Sequence, residues 1–126
     1  MIVLDTHVWL WWETEQQRLS REARRALDRA HHIGICTISV LELVGILERN
    51  RGRLRLPLRQ WVNEALRRDR VTPLPLTAAV ALDAGQLHFE GDPADRIIYA
   101  TARAEDAQLV TRDERMHAFD PDRTVW

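Results

Sequence analysis

Short, mainly apolar runs that alternate with segments of helical spacing constrain the fold of this chain more than any other feature. Residues 2–4, 33–36 and 109–111 are runs of three or four residues, as expected for buried strands. Residues 71–74 form a further candidate strand, although a proline lies within it, and residues 124–126 form a candidate edge strand. Strands that alternate with helices predict an α/β fold, with a mostly parallel central sheet and helices on both faces.

The segments between these runs contain recognisable helix starts. Ser20 and Thr77 are good N-caps, and Asp92 followed by Pro93 places a proline at the first helical position. A length of 126 residues fits one domain, which we expect to span residues 1–126. Further helices are expected around Trp9, from Ser39 to about Asn50 with an end near Gly52, and from Pro57.

The composition excludes several classes of protein. The chain has one cysteine, Cys36, which cannot form an internal disulfide and favours a reducing cytoplasm. The N-terminus enters a strand directly, so no signal peptide is expected, and the apolar stretch 33–47 contains Glu42 and is too short to span a bilayer. All 18 basic residues are arginine, so a mechanism that needs a catalytic lysine is excluded. We therefore expect a soluble, cytoplasmic protein.

Acidic residues recur at the ends of predicted strands and the starts of predicted helices. Asp5 and Asp113 directly follow strands, Glu42 lies in the first turn of a helix, and Asp92 and Asp95 lie at the start of another. In a parallel α/β sheet these ends share one edge, where the functional crevice lies. Four separate segments are therefore predicted to direct carboxylates into one crevice.

Such a group of carboxylates needs a counter-charge. Two like charges about 4 Å apart repel by roughly 4 kcal/mol at an effective dielectric near 20, whereas a helix N-terminus offsets only about 0.3–1 kcal/mol. Because the chain has no lysine, the counter-charge must be an arginine or a divalent cation. Mg²⁺ and Mn²⁺ prefer carboxylate oxygens, and such ions can activate water for phosphodiester hydrolysis.

Each acid also has a purely structural explanation. Residues 39–42 match a capping box, with Glu42 at the third helical position, which would explain that glutamate without any function. Asp92 is better explained as a helix cap than as a direct ligand, and Asp95 suits the helix dipole. Asp5 could end a strand and Asp113 could lie in a turn. Their joint placement, rather than any one of them, indicates a functional site.

Four segments, in this order and at these intervals, resemble the PIN-domain family, and within it the VapC-like toxins. The resemblance covers essentially the whole chain. The segments are residues 3–12 (VLDTHVWLWW), 38–43 (ISVLEL), 92–102 (DPADRIIYATA) and 109–113 (LVTRD).

This resemblance implies an α/β/α sandwich and Mg²⁺- or Mn²⁺-dependent endonucleolytic cleavage of RNA, with metal-activated water as the nucleophile. It also implies inhibition by a cognate antitoxin. By position, the four acidic residues of the family correspond to four acidic residues of this sequence. Asp92 fits an additional acid, and whether it contacts the metal is left undecided. Thr111 would help to orient the acids. The quartet, which by this resemblance is expected both to bind the metal and to act in catalysis, is Asp5, Glu42, Asp95 and Asp113.

Arginines and tryptophans suggest partner contacts. Residues 49–70 contain eight arginines against two acids, a cluster that is either an RNA-binding patch or a solvated surface. Arg96 and Arg112, beside proposed ligands, are better candidates for phosphate or carboxylate contact. Most of the tryptophans are expected in the core, but Trp11 is expected to point away from Trp9 and to be exposed. We expect such aromatic area to be covered in a homodimer or by the antitoxin.

Other functions fit the sequence less well. A haloacid-dehalogenase-like phosphatase needs a second aspartate two residues after the first, where His7 stands, and it needs a lysine. A phospho-receiver domain fails for lack of the same lysine. A different metal-dependent phosphoesterase and a non-catalytic PIN-like binding module remain as alternatives, although the intact quartet favours an enzyme.

Overall fold

The computed structural model describes residues 1–50 and 54–126, in which strands and helices alternate. A short 3₁₀ helix, Gln16–Arg18, follows the first α-helix. In chain order the elements are β1 (Ile2–Leu4), α1 (Thr6–Thr14), α2 (Arg21–Arg29), β2 (Ile33–Cys36), α3 (Ile38–Asn50), α4 (Leu58–Leu66), β3 (Val71–Leu74), α5 (Ala78–Gly85), α6 (Pro93–Ala104), β4 (Gln108–Val110), α7 (Glu114–Phe119) and β5 (Thr124–Val125).

The strands form one sheet in the order β3-β2-β1-β4-β5, and each neighbouring pair is parallel. In the central strand β1, Val3 lies opposite Gly34 of β2 and Leu109 of β4. The predicted α/β fold is confirmed, including the edge position of β5 and the less certain strand β3. Because all pairs are parallel, the carboxyl ends of β1, β2 and β4 lie at one edge of the sheet.

Two apolar clusters, one on each face of the sheet, make the predicted layered arrangement. Leu4 packs with Trp9 and Trp61 in the cluster that includes α1, α2 and α4. Val3 packs with Ile98 and Tyr99 in the cluster that includes α5 and α6. Successive residues of a strand point to opposite faces, and here both faces are covered, which explains why β1 is apolar throughout. No helix within residues 1–50 or 54–126 combines the length and apolar composition needed to cross a bilayer.

Three predicted helix starts are confirmed by their capping hydrogen bonds. Ser20 Oγ accepts from the Ala23 N–H at 3.1 Å, and Thr77 Oγ1 accepts from the Val80 N–H at 3.1 Å. Asp92 caps α6, with Pro93 at the first helical position. These side chains satisfy N–H groups that would have no partner within the helix, which fixes where each helix begins.

Two local predictions at helix starts are wrong. Helix α3 begins at Ile38 rather than after Ser39, so Ser39 lies inside the first turn, and no capping box joins it to Glu42. Pro57 is the N-cap of α4 rather than its first residue. The predicted helix end near Gly52 falls outside the described residues.

The prediction that Trp11 is exposed is also wrong. Trp11 is 8% exposed and lies in the same core cluster as Trp9, Trp12 and Trp61. Its ring lies 5.9 Å, centroid to centroid, from the ring of Trp126. The last residue of the sequence therefore covers the part of Trp11 that α1 leaves uncovered. Trp9, Trp11, Trp12 and Trp61 are thus buried within one chain, and Trp126 is half-buried.

Candidate active site

The predicted acids lie around one cavity of about 570 Å³ at the carboxyl edge of the sheet. Asp5 follows β1 and caps α1, and Asp113 follows β4 and caps α7. The cavity is therefore built where several strands end and several helices begin, as the sequence predicts. Its described lining comprises Asp5, His7, Val8, Trp11, Glu42, Ile46, Arg49, Asp92, Asp95, Arg112, Asp113, Glu114 and Arg115.

Asp5 is held by hydrogen bonds to both of its carboxylate oxygens. The Thr6 N–H donates to Oδ1 at 2.8 Å, and the Thr111 hydroxyl donates to Oδ2 at 2.6 Å. Burial raises the pKa of Asp5, although these two hydrogen bonds oppose the rise. The carboxylate is consequently fixed in orientation at the floor of the cavity.

Thr6 also fixes Glu42, which explains the glutamate without a capping box. The Thr6 hydroxyl donates to Glu42 Oε1 at 2.6 Å, and its oxygen lies 2.9 Å from the hydroxyl oxygen of Ser39. Thr6 and Ser39 are fully buried, whereas Glu42 is half-buried at the cavity wall. Burial raises the pKa of Glu42, and the hydrogen bond from Thr6 opposes the rise. The structural explanation offered by the sequence pattern therefore fails, and Glu42 is aimed at the site.

Asp92 and Asp95 form a reciprocal capping box at the start of α6. Asp92 Oδ1 accepts from the Asp95 N–H at 3.0 Å, and Asp95 Oδ2 accepts from the Asp92 N–H at 3.3 Å. The expected role of Asp92 as a cap is confirmed. Both residues also reach the cavity: Glu42, Asp92 and Asp95 each present a carboxylate oxygen, and these oxygens lie within 4.8 Å of one another.

Burial and the neighbouring carboxylates raise the pKa of Asp95. Partial burial, followed by the negative charges of Asp92, Asp5, Glu42 and Asp113, raises this pKa from 3.8 to about 7. The mutual repulsion of these carboxylates favours the binding of further positive charge at the site. Clustered oxygen ligands of this kind fit a hard divalent cation such as Mg²⁺ or Mn²⁺ better than a soft metal.

Arg115 supplies positive charge on the other side of the site, although it was not among the predicted site residues. Its Nη2 atom lies 3.2 Å from Asp113 Oδ2 and 3.6 Å from Asp95 Oδ2. Burial raises the pKa of Asp113, but hydrogen bonds from the side chain and backbone of Arg115 outweigh burial, and the pKa is lowered. The available signal was the position of Arg115 two residues after an acid, in the first turn of the unpredicted helix α7.

Only some of the other arginines proposed for the site line the cavity. Arg112 lines the cavity, as expected, whereas Arg96 is not among its lining residues. Of the described arginines between residues 49 and 70, Arg49 lines this cavity, but Arg68 pairs with Glu13 at 2.9 Å in a second cavity. The predicted patch therefore does not lie as a unit beside the acids. Arg51 and Arg53 fall outside the described residues.

Thr6 and His117 also support the site, and neither role was predicted. Thr111 was expected to orient the acids, but the role of Thr6 was not foreseen, although it stands between Asp5 and His7 in a motif used for the family resemblance. His117 of α7 lies with Nε2 2.6 Å from the carbonyl oxygen of Thr111. The Thr111 hydroxyl joins the end of β4 to Asp5, the Thr6 hydroxyl joins the start of α1 to Glu42 of α3, and His117 contacts the backbone of Thr111.

The chain matches the family model for the PIN domain over residues 2–120. It is 40% identical to ribonuclease VapC22 of Mycobacterium tuberculosis over 130 residues, an alignment that covers 99% of this chain and 98% of that protein.

Solved structures show the same fold. A toxin–antitoxin complex from Klebsiella pneumoniae matches at a TM-score of 0.72 and 21% identity, covering 100% of this chain and 97% of that one. VapC20 of Mycobacterium tuberculosis, described as a sarcin–ricin-loop-cleaving toxin, matches at a TM-score of 0.68 and 20% identity, over 95% of both chains. Together with the sequence matches and the convergence of acids at the carboxyl edge, these findings show that the chain belongs to the PIN-domain family, among its VapC-like members.

Proposed function

We propose that this chain is a metal-dependent endoribonuclease and the toxin of a toxin–antitoxin pair, acting as one domain over residues 1–126. The observation that carries the proposal is the convergence of carboxylates from four segments on one cavity. The 40% identity to a ribonuclease, over nearly the full length of both chains, supports the reaction class. The acids proposed for catalysis are Asp5, Glu42, Asp95 and Asp113, with Mg²⁺ as the cation and Mn²⁺ as its substitute.

The donor set fits such a cation. Glu42, Asp92 and Asp95 would hold it, since each offers an oxygen within 4.8 Å of the others. When bound, a divalent cation supplies a Lewis acid that activates water and stabilises the leaving oxygen of a phosphodiester. Asp5 contributes a carboxylate whose orientation is fixed by Thr6 and Thr111.

Positive side chains at the rim would hold the RNA. Arg49 and Arg112 line the cavity, and both side chains belong to exposed residues. A phosphodiester would otherwise be repelled by the acids, so these guanidinium groups provide attraction that does not depend on base sequence. In this proposal, phosphate binding occurs at the rim of the cavity and the chemistry occurs at its floor.

The test is cleavage of a defined RNA in Mg²⁺, in Mn²⁺ and in excess EDTA. We expect cleavage with either cation, none in EDTA, and none with Asp5→Asn. The matched control is Asp28→Asn, which changes an exposed acid on α2 outside the site and should cut at the wild-type rate. Undiminished cleavage in EDTA contradicts the proposal.

Two alternative functions give different results in the same assay. A non-catalytic binding module would bind the cation in a titration but leave the RNA intact. A different phosphoesterase would hydrolyse p-nitrophenyl phosphate in preference to RNA. Cation-dependent internal cleavage of RNA, lost in Asp5→Asn, excludes both.

The antitoxin is proposed to dock an apolar helix in a groove of about 280 Å³ between α3 and the segment that leads into α4. Its leucines, among them Leu47, Leu54 and Leu58, are half-buried rather than covered. Such a surface suits the helix-in-groove mode of recognition. Solved neighbours that are toxin–antitoxin complexes support this partner class. The groove is lined by Val44, Leu47, Glu48, Leu54, Leu56 and Leu58.

A homodimer is also part of the proposal. Leu82 on α5 is 64% exposed, and Leu76 just before that helix is also exposed. These leucines, rather than the buried tryptophans, are proposed for contact between two copies, because they lie close together in the chain; Met1, Leu41 and Phe119 are also exposed. The oligomeric state of wild type and of Leu82→Gln, measured by light scattering, tests this point.

A further inference from the structure

Arg115 places a positive charge between two of the acids proposed for catalysis. Its backbone N–H donates to Asp113 Oδ1 at 2.8 Å, and its Nη2 lies 3.2 Å from Asp113 Oδ2. The same Nη2 atom lies 3.6 Å from Asp95 Oδ2. This backbone contact holds the main chain of Arg115 beside Asp113, within reach of its guanidinium group.

The acids divide into two groups around Asp95. On one side, the oxygens of Glu42, Asp92 and Asp95 lie within 4.8 Å of one another. Within residues 1–50 and 54–126, neither Glu42 nor Asp92 takes part in an ion pair. On the other side, Asp113 and Asp95 face Arg115. The side formed by Glu42 and Asp92 is thus available to a metal cation, whereas the side formed by Asp113 already contains the positive charge of Arg115.

We propose that Arg115 supplies the second positive charge of this site, so that the chain binds one divalent cation rather than two. This inference rests on the proposed metal-dependent function. The cation is held on the side of Glu42 and Asp92, and the guanidinium group of Arg115 takes the place that a second cation would occupy near Asp113. Asp95 is shared between the two.

Electrostatics and geometry both favour this arrangement. A guanidinium group remains charged at all relevant pH values and can pair with two carboxylate oxygens at once. Its Nε lies 3.4 Å from Asp113 Oδ1, so both oxygens of that carboxylate are engaged. A second divalent cation at the same place would have to displace Arg115 or approach within a few ångströms of its charge.

The side chain of Arg115 is 56% exposed, which gives it access to a substrate. Arg115 is also one of the residues that line the cavity. Arg115 can therefore contact a phosphate oxygen while it neutralises the acids. In two-metal nucleases that charge is provided by the second ion.

The test is the stoichiometry and affinity of Mn²⁺ binding, measured by isothermal titration calorimetry in the absence of RNA. The variants are Arg115→Ala, Arg115→Lys and the matched control Arg25→Ala. Arg25 is an exposed arginine that pairs with Glu22 on α2, outside this cavity. Circular dichroism of each metal-free variant verifies that it is folded.

We expect one Mn²⁺ per chain for wild type, Arg25→Ala and Arg115→Lys. Arg115→Ala should bind a second Mn²⁺ at least about tenfold more tightly than wild type does, because the competing charge is gone. Two equally tight Mn²⁺ ions in wild type, or unchanged binding in Arg115→Ala, would overturn the inference and leave the proposed function standing. If no variant binds Mn²⁺, the proposed metal-dependent function itself fails, and this inference fails with it.

Discussion

The Thr111 hydroxyl donates a 2.6 Å hydrogen bond to Asp5 Oδ2, across the neighbouring parallel strands β1 and β4. The Thr111 oxygen also accepts from the backbone N–H of Asp113 at 3.0 Å. One buried hydroxyl therefore links two of the proposed catalytic acids. The mutual orientation of these acids depends on a side chain that has no charge of its own.

Thr111→Val should reduce RNA cleavage by at least about tenfold without unfolding the protein. Valine keeps the shape of threonine, but Asp5 loses a donor, and the loss of a hydrogen bond to a charged group costs about 1.5–3 kcal/mol. The measurements are kcat/KM for a defined RNA and the thermal midpoint. The control is Thr124→Val on β5, whose hydroxyl donates to the Asp120 carbonyl oxygen and not to an acid of the site. Equal loss of cleavage in both variants would contradict the orienting role of Thr111.

The stability of the metal-free protein should fall as the pH rises from about 4 to about 7. The pKa of Asp95 is about 7 in the folded chain, against an ordinary value of 3.8, so the folded state binds the proton more tightly. A group with a raised carboxyl pKa favours the folded state while it is protonated, and this advantage is lost as it ionises. Thermal melting in EDTA across this pH range measures the effect.

Asp95→Asn should remove the contribution of this group. The variant should melt at a higher temperature than wild type at pH 8 in EDTA, because the like-charge repulsion is gone, and should differ little at pH 4. Added Mg²⁺ should stabilise wild type more than the variant. A variant that melts lower than wild type at pH 8 would show that Asp95 is not crowded by its neighbours.

Leu58→Gln should weaken antitoxin binding and leave RNA cleavage unchanged. Leu58 lines the apolar groove beside α3 and is not among the residues that line the acidic cavity. Burying an amide in that groove without a partner costs roughly 1–3 kcal/mol, which corresponds to about tenfold weaker binding. The control is Leu41→Gln, an exposed leucine on α3 that lines neither the groove nor the acidic cavity. Undiminished inhibition of Leu58→Gln by the antitoxin would place the partner elsewhere.

Cys36 should not react with iodoacetamide in the native protein at pH 8. The residue lies in β2 and is buried, and burial raises the pKa of its thiol to about 12. The thiolate is the reactive form, so labelling should be at least about a hundredfold slower than in the same protein unfolded in urea. The extent of labelling is measured by mass spectrometry. Rapid labelling of Cys36 in the native protein would show that β2 opens readily.

The sequence predicted well those features that depend on short-range patterns. The apolar runs marked the strands, and Ser20, Thr77 and Asp92 marked helix starts, because each uses a local hydrogen bond that one side chain determines. The convergence of the acids followed from the rule that parallel strands end at one edge of the sheet.

Features that depend on long-range packing were predicted less well. Ser39 resembles an N-cap, but its hydroxyl is buried against Thr6, which lies 33 residues away. Trp11 was expected to be exposed because Trp126, at the far end of the sequence, was not known to cover it. Arg115 was missed because helix α7 has six residues and too few apolar positions to reveal a period.

The hydrogen bond between Thr111 and Asp5 joins residues that are 106 positions apart. Strand β1, which is synthesised first, lies in the middle of the sheet, and β4 must pair with it before Asp113 and Arg115 can join Asp5 around the cavity. Chains generally fold from the N-terminus during synthesis. A nascent chain therefore cannot assemble the complete set of acids until β4 and α7 have been translated.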